Sequence, residues 1–342
     1  MTWYPEPSFA HLQRLSDDTG LFEHARGAVP VRESGYCVDD VARGLIVICR
    51  EPRPPANLVQ LGERYLAFLG HAASGDGSFH NRLGFDRRWH DAPGTGDWWG
   101  RAIWGLGTAV SSAPIRRMRH DAFAFFEHAA HQRSRWPRAM AFAGLGAAEV
   151  LKVEPGHDQA RRLLADAVTT VGPLHDAPAW PWPERRLTYA NAVLVEVYLA
   201  AAQHLQEQHA GETGLRMLTW LVEMETRDGH LSTTPVGGWG PGEPRPGFDQ
   251  QPIEAATLAD ACARALALTG DRSWIEPLCL AIGWFLGDND TKTELLDQET
   301  GGCSDGLGPT SYNTNQGAES TLALVSTLQH GRRHIPRQSH GL

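Results

Sequence analysis

The alternation of two kinds of predicted helix is the feature that most constrains the fold of this chain. Six segments are rich in Ala, Gly and larger apolar residues on every side, which is typical of helices buried all round. Five of them are followed by a segment with one apolar stripe and a polar opposite face. The six apolar helices are predicted over residues 36–48, 97–110, 137–151, 189–203, 251–268 and 315–328. The pattern indicates six helical hairpins.

The outer partners of these helices predict how the hairpins close. The sixth apolar helix has no amphipathic segment after it, and a short N-terminal helix over residues 8–15 can supply the missing outer element. The outer helices after the first five are predicted over 58–69, 114–133, 157–171, 214–225 and 274–286. We therefore predict an all-α (α/α)6 toroid with small β-hairpins in its loops, a single domain over 1–330 and a flexible tail over 331–342. Irregular spacing and unequal loops favour this closed barrel over an open helical solenoid.

Composition excludes several classes of partner. The formal net charge is −9, with 31 Lys and Arg against 40 Asp and Glu, which argues against a nucleic-acid or anionic-membrane surface. No stretch resembles a signal peptide or a membrane span. The five cysteines are scattered and lack CxxC spacing, which favours reduced thiols in a cytoplasmic protein and no metal site. We expect no cofactor.

The loops that enter the apolar helices are long, aromatic and acidic, whereas the loops at their other ends are short. This asymmetry predicts a pocket at one end of the barrel. Acidic, amide and indole groups together suit a carbohydrate, because sugar hydroxyls bind polar groups and apolar sugar faces stack on aromatic rings. The residues that we expect to contact such a substrate are Asp39, Arg43, Trp98, Trp99, Arg101, Trp182, Tyr189, Asn191, Asp249, Gln250, Gln251, Asp305, Asn315 and Gln316.

Four carboxylates at the starts of the apolar helices are the candidate catalytic groups: Asp40, Asp97, Glu254 and Glu319. Hydrolysis of a glycosidic bond needs one carboxyl group to protonate the leaving oxygen and a second to activate water or attack the anomeric carbon. Burial and mutual repulsion would raise the pKa of one of them, as a general acid requires. Glu254, within a helix rich in alanine, is the leading candidate.

Each acidic candidate also has a structural interpretation. Asp97 can cap its helix, and Asp39 and Asp40 can complement a helix dipole. Since Trp98 and Trp99 are adjacent, at most one can enter the pocket and the other belongs in the core.

The arginines in the apolar helices suggest another structural role for the candidate carboxylates. Arg43 and Arg101 lie one turn inside their helices and can pair with a carboxylate. Glu254 and Glu319 follow similar sequences, Gln-Pro-Ile-Glu and Gln-Gly-Ala-Glu, and either could be held in such a buried ion pair.

The positions of the histidines help to distinguish a hydrolase from a sugar 2-epimerase, a second class of enzyme that has this barrel. Sugar 2-epimerases of this architecture rely on histidines on the inner helices to remove a proton beside a carbonyl. The predicted inner spans contain none, since His204 lies at the far end of the fourth helix and His24, His80 and His90 lie in loops. This counts against an epimerase.

Four strings of residues together resemble a bacterial family of six-hairpin glycosidase-like proteins, often encoded beside or fused to GT-B-type glycosyltransferases. They are residues 18–25, residues 35–43, residues 248–255, and residues 301–307 followed by 315–321. The resemblance spans about Leu12 to Leu328 and implies the same toroid and a functional link to a glycosyltransferase. Many of those proteins have Glu-Asp-Ser-His where this chain has residues 96–99, and Tyr-Asp-Asn-Ala where it has residues 189–192. These departures remove two polar cleft positions and one histidine.

The sequence therefore predicts a glycoside hydrolase acting on an oligosaccharide, with mannose-containing glycans among the candidates. Glu254 with Glu319 or Asp40 would be acid and base, and inversion is favoured. The competing hypothesis is a glycan-binding or scaffolding module that serves a glycosyltransferase, in which the carboxylates are tied to Arg43 and Arg101. A sugar 2-epimerase ranks third.

Overall fold

The computed structural model describes residues 4–175 and 179–336. The α-helices in these ranges are α1 (Ala10–Arg14), α2 (Val38–Cys49), α3 (Ala56–Ala72), α4 (Asp97–Ser112), α5 (Arg116–Ala129), α6 (Pro137–Leu151), α7 (Asp158–Val171), α8 (Asn191–Leu205), α9 (Gln208–Glu225), α10 (Pro252–Thr269), α11 (Ile275–Phe285) and α12 (Ala318–His334). The two-residue strands are β1 (Ala25–Arg26), β2 (Val29–Pro30), β3 (Tyr36–Cys37), β4 (Arg82–Leu83), β5 (Thr226–Arg227), β6 (His230–Leu231), β7 (Gly306–Leu307) and β8 (Tyr312–Asn313).

The even-numbered helices form a closed inner ring. Each packs on its neighbours in the order α2, α4, α6, α8, α10, α12, and α12 packs back on α2. The helices α3, α5, α7, α9 and α11 lie outside this ring, each against the inner helix that precedes it. The strands form four antiparallel pairs, and only β3–β4 joins distant parts of the chain. The predicted (α/α)6 toroid with small hairpins in its loops is confirmed.

Small residues explain why the inner helices approach so closely. A Cβ atom on Gly107 of α4 would lie 2.1 Å from the carbonyl oxygen of Gly146 on α6. A Cβ on Gly100 would lie equally close, 2.1 Å, to the carbonyl oxygen of Ala139. Because interiors are close-packed, these contacts leave no room for a larger side chain at either glycine. The Ala- and Gly-rich composition of the inner helices is thus a requirement of the narrow ring.

The two chain ends complete the ring. The Tyr4 hydroxyl donates to the carbonyl oxygen of Ile335 at 3.0 Å, and His11 Nε2 donates to the carbonyl oxygen of Gln316 at 2.8 Å. Helix α1 packs on α12 as the expected outer element, although it has only five residues.

Two helix ends differ most from the sequence prediction. Helix α12 continues to His334 instead of ending at residue 328, and α9 begins at Gln208 instead of residue 214. Residues 331–334 of the predicted tail are therefore helical, and residues 337–342 lie outside the described residues. The hydroxyl of Tyr4 and the carboxylates that bind Arg332 hold this last stretch of α12 against the N-terminal part of the chain.

All five cysteines are free thiols. None of the helices within the described ranges is long and apolar enough to cross a membrane.

Candidate active site

A cleft of about 830 Å³ opens at the end of the barrel where the inner helices begin. The starts of α2, α4 and α12 supply its polar floor, and the segments before α6 and α8 supply its wall. From the predicted set, the cleft is lined by Asp39, Arg43, Asp97, Trp98, Arg101, Tyr189 and Glu319. It is also lined by Gly94, Thr95, Gly96, Arg133, Arg135 and Trp136, which the sequence analysis did not select. The position of the predicted pocket agrees with this cleft.

An ion pair between the first and last inner helices forms one side of the floor. Arg43 Nη2 lies 2.7 Å from Glu319 Oε2, and Arg43 Nη1 lies 3.5 Å from Asp40 Oδ1. The Glu319 side chain keeps 37% of its surface exposed, and it lines the cleft. Desolvation acts to raise the pKa of Glu319, but Arg43 and Arg101 outweigh it and hold the pKa below its usual value. Glu319 is therefore ionised at neutral pH.

A second arginine forms the opposite side of the floor. Arg101 Nε lies 3.3 Å from Asp39 Oδ1, and the guanidinium carbon lies 3.9 Å from the centre of the Phe142 ring. Burial, with the nearby charge of Arg43, lowers the pKa of Arg101 to about 10, so the group stays charged at neutral pH. Asp39 is consequently the ion-pair partner of a buried guanidinium group.

Asp97 is the cleft carboxylate without a fixed partner. It is the first residue of α4, and the N-cap of that helix is Gly96, so the capping interpretation of Asp97 is wrong. Within the described part of the chain, its side chain makes no hydrogen bond or ion pair. Burial raises the pKa of Asp97, and the neighbouring Arg101 only partly opposes the shift. A raised pKa is the direction of shift that a general acid needs.

Asp40 lies beneath the floor and is 3% exposed. Burial raises its pKa to about 8 despite the nearby Arg43. Its carboxylate, the Glu23 carboxylate and the Cys37 thiol place potential metal-ligand atoms within 4.8 Å of one another. Arg82 already donates to Glu23, Arg43 pairs with Asp40, and burial raises the pKa of the Cys37 thiol well above its usual value. Two arginines therefore already lie against the carboxyl groups of this cluster.

Glu254, the leading candidate from the sequence, lies away from the cleft. It is 3% exposed, and its carboxylate accepts hydrogen bonds from the backbone N–H of Ala190 and, at 3.2 Å, of Asn191. The Asn191 side-chain amide donates a third, at 3.0 Å. Burial and the Glu225 carboxylate raise the pKa of Glu254 to about 8, against the effect of these donors. Glu254 therefore holds the start of α8, where Ala190 adopts a left-handed conformation, and Asn191 belongs to this same network.

The predicted aromatic residues divide between cleft and core. Trp98 lines the cleft and its indole N–H donates to the carbonyl oxygen of Phe79 at 2.7 Å, whereas Trp99 is fully buried. Trp182 is also fully buried and packs on Trp220, with ring centroids 5.6 Å apart. Its expected contact with substrate is therefore corrected to a core position.

Two predicted amide side chains serve the loops instead of the cleft. Gln250 is fully buried, and its side-chain oxygen accepts from the Trp284 indole N–H at 2.8 Å. Gln316 donates to Asp297 at 2.8 Å. Both fix the backbone that leads into an inner helix.

The remaining predicted contacts also lie outside the cleft lining. Asn315 donates to Asp305 at 2.9 Å and accepts from the backbone N–H of Ala25 at 2.8 Å, which ties the loop before α12 to the N-terminal segment. Asp249 is exposed on its loop, and Gln251 is the N-cap residue of α10 without a side-chain capping bond. These four residues shape the loops on this end of the barrel.

Trp136 is the most prominent cleft residue that the sequence analysis missed. It is the N-cap residue of α6 and is 53% exposed. The Arg135 guanidinium lies 4.5 Å from the centre of its ring. A Trp-Pro pair at the start of an apolar helix could have indicated this position, because the loops that enter the inner helices carry the pocket. An exposed indole at a cleft rim is a suitable surface for stacking a sugar ring.

Several solved structures with the same fold are named as enzymes that act on sugars. A sugar epimerase from a ruminal bacterium matches with a TM-score of 0.70 and 11% identity over 95% of each chain. A D-mannose isomerase gives a TM-score of 0.68 and 10% identity, also over 95% of each chain. A cellulase of C. cellulolyticum in complex with cellobiose gives 0.64 and 8%, over 93% of this chain and 88% of the other. No protein-family model and no curated protein matches the sequence. At these identities the likeness shows the six-hairpin (α/α)6 fold.

Proposed function

We propose that this protein is a carbohydrate-active enzyme that hydrolyses a glycosidic bond, with Asp97 as general acid and Glu319 as general base. The observation that carries the proposal is the opposite electrostatic environment of the two carboxylates in one cleft. Burial raises the pKa of Asp97, whereas Arg43 and Arg101 lower the pKa of Glu319. Two carboxyl groups that face the same space, one with a raised and one with a lowered pKa, match the acid and the base that glycoside hydrolysis requires.

The other groups of the cleft fit a sugar substrate. Asp97 would protonate the glycosidic oxygen while Glu319 removes a proton from the attacking water, so that the anomeric centre inverts. Asp39 and Arg101 lie beside these groups and offer an acceptor and donors to sugar hydroxyls. Trp98 supplies an aromatic wall. In this proposal Asp97 takes the acid role that the sequence analysis gave to Glu254.

A sugar 2-epimerase is the first alternative function, since four of the structural neighbours are named as sugar epimerases or as a sugar isomerase. That reaction needs a base that removes the proton beside a carbonyl group, commonly a histidine. No histidine is among the described residues that line the cleft. This composition supports hydrolysis over epimerisation.

A glycan-binding or scaffolding module is the second candidate, and a specific observation favours it. Glu319 is paired with Arg43, and Asp39 with Arg101, which is the arrangement expected if the carboxylates only maintain the shape of a binding cleft. Such a module could present an oligosaccharide to a glycosyltransferase. It would bind oligosaccharides saturably without turnover, and Asp97 would then have no proton to transfer.

Hydrolysis of a panel of oligosaccharides, mannose-containing ones included, tests the proposal. The wild type should release sugar, and Asp97→Asn and Glu319→Gln should each reduce the rate about 10²–10⁴-fold. Glu212→Gln, on the exposed side of α9, is the matched control and should retain the full rate. No release by the wild type, or full rates in both cleft variants, would refute the hydrolase.

A further inference from the structure

A second large cavity lies at the opposite end of the barrel, where the inner helices finish. Its volume is about 820 Å³, which matches that of the cleft. The segment after α2 and residues of α4, α6, α8, α10 and α12 line it. We call it the lower cavity. The connections at this end are short, so no long loop creates the space.

A narrow, mostly apolar space of about 30 Å³ lies between the lower cavity and the cleft. Its lining includes Ile46, Trp104 and Leu322, together with Arg43 of the cleft and Arg50 of the lower cavity. The cleft and the lower cavity themselves share no lining residue.

The floor of the lower cavity consists of buried charged groups. Asp260 Oδ1 lies 2.7 Å from Arg50 Nη1 and 2.6 Å from His330 Nε2. Glu196 Oε1 lies 2.9 Å from Arg264 Nε. Asp260, Glu196 and Arg264 are at most 9% exposed. Burying paired charges stabilises a fold little, and apolar side chains of similar size would often serve as well.

Interactions with the helix dipoles do not explain why carboxylates lie in the floor of the lower cavity. Cations near the C-terminal ends of helices are favourable, but carboxylates there are not. Glu149 nevertheless lies in the last turn of α6, buried, with Lys152 Nζ at 2.6 Å from its Oε1. A buried carboxylate at the unfavourable end of a helix dipole, beside an open cavity, indicates that the cavity binds a polar ligand.

The charge of the lining indicates the ligand. Six Arg or Lys side chains and four carboxylates line the lower cavity, an excess of cations in a chain of net charge −9. Arg53 and Arg333 form no ion pair with any of the described residues, and both are exposed at the rim. The side-chain oxygen of Gln329 is buried and accepts no hydrogen bond within the described ranges.

We propose that the lower cavity binds a sugar phosphate. Arg53 and Arg333 would hold the phosphate group at the rim, since guanidinium groups bind phosphate through charge-assisted hydrogen bonds. The carboxylates of the floor would accept hydrogen bonds from the sugar hydroxyls. An anionic head group and several hydroxyl donors on one small molecule match a cationic rim above an acidic floor. This site is independent of the hydrolytic function proposed for the cleft.

Calorimetric titration with glucose 6-phosphate tests this assignment, with glucose and inorganic phosphate as comparison ligands. The wild type should bind glucose 6-phosphate saturably and more tightly than either comparison ligand. Arg53→Gln and Arg333→Gln should each weaken binding about tenfold, and added salt should weaken it further. Arg117→Gln, which removes an exposed charge from α5 on the outside of the barrel, should bind as the wild type does.

Three results would overturn the assignment. The first is the absence of saturable binding by a wild type whose thermal unfolding shows it to be folded. The second is an affinity for glucose or for inorganic phosphate equal to that for the sugar phosphate. The third is binding that Asp97→Asn abolishes and the two rim variants leave intact, since the ligand would then occupy the cleft. A negative titration would not change the result expected in the hydrolysis assay, so the two proposals can be refuted independently.

Discussion

Arg43 Nη2 of α2 lies 2.7 Å from Glu319 Oε2 of α12, so the contact that joins the first and last inner helices also sets the charge of the cleft. Closure of the ring by the two chain ends brings a guanidinium beside a carboxylate that is 276 positions later in the chain, counted as 319 − 43. The toroid and the ionised state of Glu319 therefore depend on the same packing.

Replacing Arg43 should change the pH dependence of the reaction. Arg43 lowers the pKa of Glu319, and Glu319 must be ionised to act as a base. In Arg43→Gln the pKa of Glu319 should rise. On acidification Glu319 would then be protonated, and activity lost, at a higher pH than in the wild type. The acidic limb of kcat/KM should thus move to higher pH. Arg117→Gln is the control and should leave the pH profile unchanged. An unchanged acidic limb in Arg43→Gln would show that Glu319 is not the base.

Asp97→Asn should affect substrates according to their leaving groups. A general acid is needed when the departing oxygen is basic and is nearly dispensable when the leaving group is already stable as an anion. We expect a loss of about 10²–10⁴-fold on an oligosaccharide and a much smaller loss on an aryl glycoside with an acidic phenol. Equal losses on both substrates would assign Asp97 another role.

Glu254→Gln should lower stability instead of the chemical rate. The Glu254 carboxylate accepts three hydrogen bonds at the start of α8, and an amide cannot accept all three. Leaving a buried donor without an acceptor costs about 1–3 kcal/mol of unfolding free energy. Chemical denaturation should show this loss, while kcat stays within a few-fold of the wild type. Glu319→Gln is the comparison for the rate, and it should show a large loss of kcat. Because it also removes the ion-pair partner of the buried Arg43, it should lower stability as well.

Trp136→Ala should weaken the binding of longer substrates. The indole is 53% exposed at the cleft rim, where it can stack on a sugar unit away from the cleaved bond. KM for a tetrasaccharide should rise about fivefold, since one stacking contact is worth about 1 kcal/mol. KM for a disaccharide should hardly change, and Trp136→Phe should restore most of the affinity. A uniform loss across chain lengths would instead indicate a local distortion of α6.

The fold was largely predictable because the amino-acid composition of each helix indicates how much of its surface is buried. Helices rich in Ala and Gly have to lie inside a narrow ring, and striped helices outside it. The same argument placed the polar helix starts at one end of the barrel, which is where the cleft lies.

The direction of individual side chains was not predictable from local sequence. Glu254 and Glu319 follow nearly the same four-residue pattern, yet one binds the start of α8 and the other faces the cleft. The difference comes from what each helix meets across the ring, the backbone of Asn191 in one case and Arg43 in the other. Such partners are distant in sequence, so periodicity carries no information about them. Trp182 was misassigned for the same reason, because its burial depends on Trp220 of α9.

A proton NMR time course of the wild type with an oligosaccharide panel in D₂O tests the central claim most directly. An inverting hydrolase should give new reducing-end signals, with the anomer first formed opposite to that of the cleaved bond and no deuterium at C2. Deuterium at C2 without release of sugar would contradict it in favour of an epimerase. Line broadening of the oligosaccharide without any product would contradict it in favour of a binding module.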